Sequence, residues 1–587
     1  MIGRGQPTGA LACRASISQL TCFMCVMSVS QVSTWKYEKV DSSCQAVLTH
    51  GYYSAGILFC GALAFMRSTK DPSLTRRGWL KSVVGLGTGA ALSGCLPPGR
   101  PSTVGIGRAV RTEGNLVRLE NQRAGTREWL LTNPRIDPGS KYRCSWIEGY
   151  CSRTSVRVGE NLKVFVSTNP ASDFTLEIYR MGFYSGAGGR LISKLGPFRG
   201  RVQAEPAIGR NRLRECQWES CTTITIPGDW VSGVYLGKLT ALGGGVQSYV
   251  IFIVRDERPA DIIFQCSDIT WQAYNRWPDH FALYDNGQEQ WWCGPGVEVS
   301  FDRPYGKYCQ ILDAPLSAGS GEWFLWEFPL AYWMEAHGYD VTYISNLDTH
   351  SDAAGLRRAK GFLSVGHDEY YTVDMYQNLR GAIADGLNVA FLSGNTCCGR
   401  VELRPSSIGA QCRSFDRVDY FGPRDEGMVQ RFPSMRSFPY RSPPESMLVG
   451  ARSNVPPCTG GADWKCVLPE HWIYEGTGMK LEEQIPGLIG WEWHGDPAPI
   501  PGLAVVATGP TQDAPGKPNG GTYAATVYEG PKGNFVFNAS TCWWADGIAN
   551  PPGYVRPSVY TSPQGPDARV QRITANLLGR MCRFRQG

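Results

Sequence analysis

Several chemistries are missing from this 587-residue chain. The histidines beyond residue 94 (His280, His337, His350, His367, His471 and His494) make neither HxH nor HExxH, so their spacing supports no three-histidine zinc site. No GxSxG elbow stands at a strand end, which leaves an ordinary serine hydrolase unsupported. No CxxC pair occurs beyond residue 94, which argues against a zinc ribbon. Basic residues form no long run and net charge is only +6, so nothing asks for a nucleic-acid partner. The apolar runs Ile57–Phe65 and Ser82–Ala91 are too short to span a bilayer, which takes about 20 residues. Charged residues make up 19% of the chain against 42% hydrophobic, which excludes a disordered, collagenous or coiled-coil protein. What the chain has in unusual number is tryptophan, 19, and cysteine, 20.

The first hundred residues read as an address. Thr75-Arg76-Arg77-Gly78-Trp79-Leu80-Lys81 has the form of a twin-arginine export signal, followed by small apolar residues and Leu92-Ser93-Gly94-Cys95. That tetrapeptide has the form of a lipobox, in which Cys95 is lipidated and becomes the mature N-terminus. Gly85, Gly87 and Gly89 would weaken a buried helix here. Met66 makes a natural start, with 66–94 as the leader, 95–125 as a Pro-, Gly- and Arg-rich tether and 1–65 as a mis-assigned extension. The expected location is periplasmic or at the cell surface, anchored by lipid. In such a compartment the close pairs Cys144/Cys151, Cys216/Cys221 and Cys458/Cys466 read as disulfides.

Two modules follow. In 126–257, Leu162, Val164 and Val166 alternate with Lys163 and Phe165, and Phe174, Leu176 and Ile178 with Thr175, Glu177 and Tyr179. Further short strands at Thr222–Ile226, Gly233–Thr240 and Ser248–Val254 predict an immunoglobulin-like β-sandwich. From 258 to 587 the period changes: strands at Asp261–Cys266, Val341–Ile344, Gly361–Val365 and Asn388–Leu392 alternate with helices at Pro329–His337 and Val373–Ala384. That order predicts a doubly wound parallel sheet, completed by strands near 503, 522 and 534 and a helix carrying Val570, Ile573 and Leu577. The stretch from Arg400 to Pro499 is rich in Pro and Cys with little period, and is expected to be an excursion covering the site.

In an open α/β sheet functional groups gather beyond the carboxyl ends of the strands. Trp271, Tyr274 and Tyr284 follow the first strand, His367 and Glu369 follow Gly361–Val365, and Asn395 follows Asn388–Leu392. Glu492 stands between Trp491 and Trp493. Taken singly, each has an ordinary structural explanation: a core aromatic, a satisfied polar pair, a solvent-facing carboxylate. Cys397 and Cys398 are alternative nucleophiles for His367 and Glu369, but export favours disulfides over free thiols.

Taken together the motifs carry a resemblance. P-L-A-Y-W-M-E-A-H-G-Y-D-V-T-Y at 329–343, G-H-D-E-Y at 366–370, F-L-S-G-N-T at 391–396, T-W-Q-A-Y-N at 270–275 and F-D-R-P-Y at 301–305 look like the large-subunit family of N,N-dimethylformamidase, over roughly residues 130–587. The resemblance implies an immunoglobulin-like or lectin-like module before a glutamine-amidotransferase-like α/β domain. It also implies hydrolysis of a small formamide-type amide with one ferric ion held by two tyrosines and one glutamate. Matched by motif, the ligands are Glu369, Tyr274 and Tyr284, with Tyr305 as the alternative second tyrosine. His367 and Glu492 are then implied to activate water or handle protons, and Asn395 and Trp271 to contact substrate. The chain departs from the pattern at Cys397-Cys398-Gly399, where family members usually carry aromatics, which puts substrate contacts from that loop in question.

The chemistry is coherent on its own terms. A ferric ion is hard and favours oxygen donors. Phenol ionises near pH 10, but a trivalent cation stabilises phenolate strongly. Two phenolates and a carboxylate neutralise the ion, and water bound to it becomes acidic enough to attack an amide. The rival reading is a non-catalytic surface lipoprotein that binds glycan or protein through its sandwich and exposed aromatics. A homo-oligomer and a small accessory subunit both stay open.

Overall fold

A computed structural model describes residues 115–583, apart from 136, 138, 140–141, 307–316, 515 and 557–564. The leader, Cys95, the start of the tether and the Cys458 side chain lie outside the described residues. Those described belong to one compact unit, Ala109–Gly587, of mixed α/β type. None of their helices is long and apolar enough to cross a membrane.

Residues 115–125, expected as the end of a tether, are instead docked. Asn115 caps the helix Leu116–Glu120, Val117 and Glu120 are buried, and the Asn121 amide donates to Glu335 at 2.7 Å. Glu120 also accepts from Tyr184 at 2.8 Å and Arg190 at 2.6 Å, so this segment is bonded to both halves of the molecule.

The N-terminal half holds two sheets. One has three strands, with Asn161–Ser167 between Glu148–Cys151 and Ser220–Thr225. The other has five, in the order 155–157, 247–255, 233–241, 174–181 and 189–198. Leu162, Val164 and Val166 from the first meet Phe174, Leu176, Ile178, Leu239 and Val250 from the second in one core, as the alternation predicts. Tyr179 departs from it. It faces away from that core yet is fully buried, because the outer face of the five-stranded sheet packs on the second half.

The second half is built on a seven-stranded sheet in the order 341–345, 260–266, 359–367, 388–394, 535–538, 517–529 and 504–514. The first five are parallel, and 517–529 alone runs against them, antiparallel to both of its neighbours. Side chains of each central strand alternate between two cores: Phe264, Leu363 and Ala390 on one face, Ile263, Phe362 and Val389 on the other. Helices Phe328–Ala336 and Ala568–Arg583 cover the first face and Val373–Ala384 the second.

The stretch 400–499 is not an irregular excursion. It contains an antiparallel ribbon, Ala451–Lys465 with Gln484–Pro497, and the strands Gly399–Arg404 and Ser414–Tyr420. Repeated register shifts in the ribbon break the two-residue period, which hides the strands from pattern reading.

Among the described cysteines no disulfide forms. Cys144 and Cys151 are not bridged, nor are Cys216 and Cys221: the Cys144 thiol points at the Gln247 carbonyl (3.8 Å) and the Cys221 thiol at the Val164 carbonyl (3.2 Å). Cys216 lies with Tyr150, Trp218 and Trp277, apart from Cys221, which packs against the core between the two sheets. Cys144 and Cys151 share that core without being bridged.

Candidate functional site

Three adjacent parallel strands deliver the site. Strand Ala260–Cys266 runs into the short helix Asp268–Tyr274, strand Ala359–His367 ends at His367, and Asn388–Gly394 ends beside it, with His367 in register with Gly394. Gly366 turns at φ +74°, and a Cβ there would lie 2.3 Å from Cβ of Trp326, so only glycine fits the close approach. Asp368 then anchors the loop inward. Its carboxylate accepts from Gln265 (2.6 Å), Ser364 (2.8 Å), Tyr371 (2.8 Å) and Asn346 (3.0 Å). With Asp368 pinned inward, its neighbours His367 and Glu369 are fixed at the sheet rim.

Tyr274, Tyr284 and Glu369 converge there. The Tyr274 hydroxyl donates to Glu369 Oε2 at 2.8 Å, the Tyr284 hydroxyl donates to Glu369 Oε1 at 2.6 Å, and the two phenol oxygens are 2.9 Å apart. All three side chains are buried. Burial pushes both phenols well above their ordinary range, with the Glu369 charge adding to it. Burial likewise raises Glu369, and Glu492 adds to the shift. A buried set of acidic oxygens with shared contacts is what a hard cation requires, and a cation there would reverse each of these shifts. The residues fit the ion that the sequence motifs imply. Nitrogen is also in reach: ligand atoms of His367, Glu369 and Glu492 lie within 4.8 Å of one another.

His367 and Glu492 form the second feature. Nε2 of His367 is 2.5 Å from Glu492 Oε2 and 3.6 Å from Glu369 Oε2. Burial opposes charge on the imidazole, but Glu492, with Glu369 and Glu322 behind it, outweighs that and pushes His367 up to about 9. Glu492 comes from the long ribbon, far away in sequence. A Cβ on Gly394 would lie 2.0 Å from the Glu492 carbonyl oxygen and one on Gly490 would lie 2.1 Å from the Trp543 ring, so two glycines let the ribbon cross the strand end. Trp491, at φ +61°, and Asn395, at φ +53°, hold left-handed conformations on either side of the crossing.

Two sequence candidates are placed differently. Trp271 does not join the cluster: it is 2% exposed in the opposite core and its indole donates to Glu327 Oε1 at 2.8 Å. Asn395 reaches the site, but its amide donates to Glu492 Oε2 at 2.8 Å, a positioning contact. Tyr305 packs 6.4 Å from the Trp271 ring in that same opposite core, whereas Tyr284 bonds Glu369 directly. Cys397 and Cys398 are buried, and burial holds both thiols well above the ordinary range, which is the opposite of an activated nucleophile.

Sequence reasoning missed Tyr370 and Arg417. The Tyr370 hydroxyl lies 2.5 Å from the Tyr284 oxygen and accepts from Arg417 Nη2 at 2.5 Å. Tyr370 directly follows Glu369, which was signal enough to find it; Arg417, on a strand remote in sequence, left none. His494, two residues beyond Glu492, accepts from the Thr396 N–H at 2.9 Å, and burial lowers it to about 4, so it is a neutral support for the Asn395 loop.

Residues 175–556, which hold every residue of this site, match the profile of a protein family described as N,N-dimethylformamidase beta subunit-like, C-terminal. No curated protein matches the chain.

Proposed function

The chain belongs to the N,N-dimethylformamidase beta subunit-like family, and from that membership we propose that it is a metal-dependent hydrolase of the carbon–nitrogen bond of a small amide. The observation that carries the reading is the meeting of Tyr274, Tyr284 and Glu369 through contacts of 2.6–2.9 Å. These oxygens suit a single ferric ion, which when bound would acidify water and polarise the amide carbonyl.

The remaining work falls to the protein's own groups. Glu492, its side chain 17% exposed, takes the proton from the attacking water. The new carbon–oxygen bond forms as the carbonyl π electrons move to oxygen. His367, whose proton the Glu492 carboxylate holds in place against the cost of burial, then gives that proton to the departing amine nitrogen as the carbon–nitrogen bond breaks. Asn395 keeps Glu492 aimed by donating to Oε2. Trp326, 6.1 Å from the His367 ring, and Trp491 provide apolar surface beside the pair.

The finer assignments belong to the same reading: an immunoglobulin-like sandwich over 126–257, a glutamine-amidotransferase-like domain over 258–587, twin-arginine export and a lipid anchor on Cys95. A homo-oligomer or a small accessory subunit is compatible with it. The test is hydrolysis of dimethylformamide and simple secondary and tertiary amides by iron-replete protein, followed as amine release. Activity lost on iron removal and restored by iron supports the reading; activity indifferent to iron opposes it.

A further inference from the structure

We infer that Arg417 and Tyr370 are positioning residues that fix the direction of the Tyr284 oxygen toward the metal site, and that they keep Tyr370 itself out of the ligand set. The inference rests on the metal reading above and deepens it. Arg417 lies on strand Ser414–Tyr420 and is 1% exposed. Its guanidinium carbon sits 4.7 Å from the ring centre of Tyr284, 5.4 Å from Tyr370 and 5.5 Å from Tyr420. Among the described residues no carboxylate stands within ion-pair distance of it, although burying an unpaired cation costs several kcal/mol. Its charge is met instead by the Tyr370 oxygen, by the faces of the three rings and, from further off, by the Glu369 carboxylate, which it stabilises.

The hydrogen-bond direction follows from donor inventory alone. A guanidinium only donates, so the Tyr370 oxygen must accept from Nη2. Tyr370 has one proton left to give, and the acceptor in reach is the Tyr284 oxygen. Tyr284 then accepts from Tyr370 and turns its own proton to Glu369 Oε1. Replacing that proton by a cation leaves every other bond of the chain in place. Tyr370 is different: a guanidinium already occupies its oxygen, and a second cation there would be repelled at close range. Of the phenols of Tyr274, Tyr284 and Tyr370, the first two bond Glu369 and would hold the ion, and the third bonds only Tyr284 and Arg417.

The test uses the full-length chain, with ferric affinity measured by chelator competition and the phenolate-to-iron visible band as an independent signature. Y370F removes one hydroxyl and keeps the ring. It should bind ferric ion about 10–100-fold more weakly, as loss of a supporting partner typically does, with a shifted band and an unchanged melting profile. Y420F is the control: its ring also packs on Arg417, but its hydroxyl donates to the Cys293 carbonyl at 3.0 Å, outside the chain of bonds, so affinity and band should match the wild type. Wild-type affinity in Y370F, or equal losses in Y370F and Y420F, would overturn the inference. If Y370F fails to fold, R417K decides: it keeps charge but loses the fork, so weaker binding supports the inference and wild-type binding overturns it. A folded wild type that binds no ferric ion defeats the metal reading and the relay together, whereas binding unaffected by Y370F defeats the relay alone.

Discussion

Nε2 of His367 lies 2.5 Å from Oε2 of Glu492, a pair made by the end of a parallel strand and a ribbon more than a hundred residues away in sequence. The contact joins a charged imidazole to a carboxylate at the rim of the sheet, with the tyrosine–glutamate cluster 3.6 Å away. On the function proposed above this pair handles protons and the neighbouring cluster holds the ion, and that division of labour can be measured.

E492Q removes the base but none of the clustered oxygens. The expected outcome is a fall in kcat of roughly 100-fold or more, the usual contribution of a general base, with iron content unchanged. Parallel loss of iron and activity would show that Glu492 is a ligand instead.

Thiol chemistry should be silent. Native protein treated with iodoacetamide at pH 8 is expected to keep its activity and leave Cys397 and Cys398 unlabelled, while urea-unfolded protein labels both. Rapid labelling in the native state with matching loss of activity would revive a cysteine nucleophile.

The buried imidazole of His494 sets a pH dependence. Burial holds it at about 4 against an ordinary 6.5. Between those values the unfolded chain binds a proton that the native state refuses, so stability falls as pH drops from about 6.5 to about 4. The loss is ~3 kcal/mol for this one group. In urea unfolding of metal-free protein, H494Q should therefore lose ~3 kcal/mol less than the wild type between pH 7 and pH 4. Identical acid limbs would contradict the assignment.

Backbone proximity at Gly394 makes a fourth test. A methyl group there would meet the Glu492 carbonyl at 2.0 Å, and neither backbone can yield easily. G394A should cost ~2–3 kcal/mol in unfolding free energy and reduce kcat by displacing Glu492. A variant of wild-type stability and activity would mean that the ribbon does not cross the strand end this closely.

Much of the site was legible because parallel strands leave a plain pattern. Buried apolar runs alternating with helices located the strand ends and so the segments that hold Tyr274, His367, Glu369 and Asn395, while the choice of these residues within them came from the family resemblance. Trp271, which the motif implies as a substrate contact, points away from the cluster. Helix Asp268–Tyr274 straddles the sheet rim, sending Trp271 into one core and Tyr274 into the other. Glu492 was found by composition, between two tryptophans, whereas the ribbon that carries it was not, since its bulges erase the two-residue period. Arg417 shows the remaining limit: its meaning lies in the Tyr284 and Tyr370 rings, brought from other segments to meet it.

The central claim is that Tyr274, Tyr284 and Glu369 hold one ferric ion, and elemental analysis with a visible spectrum of iron-replete protein tests it most directly. The account predicts one iron per chain and a phenolate-to-iron absorption band that shifts in Y274F and in Y284F and disappears with the metal in E369Q. Folded protein that is colourless and free of iron after such expression would contradict it.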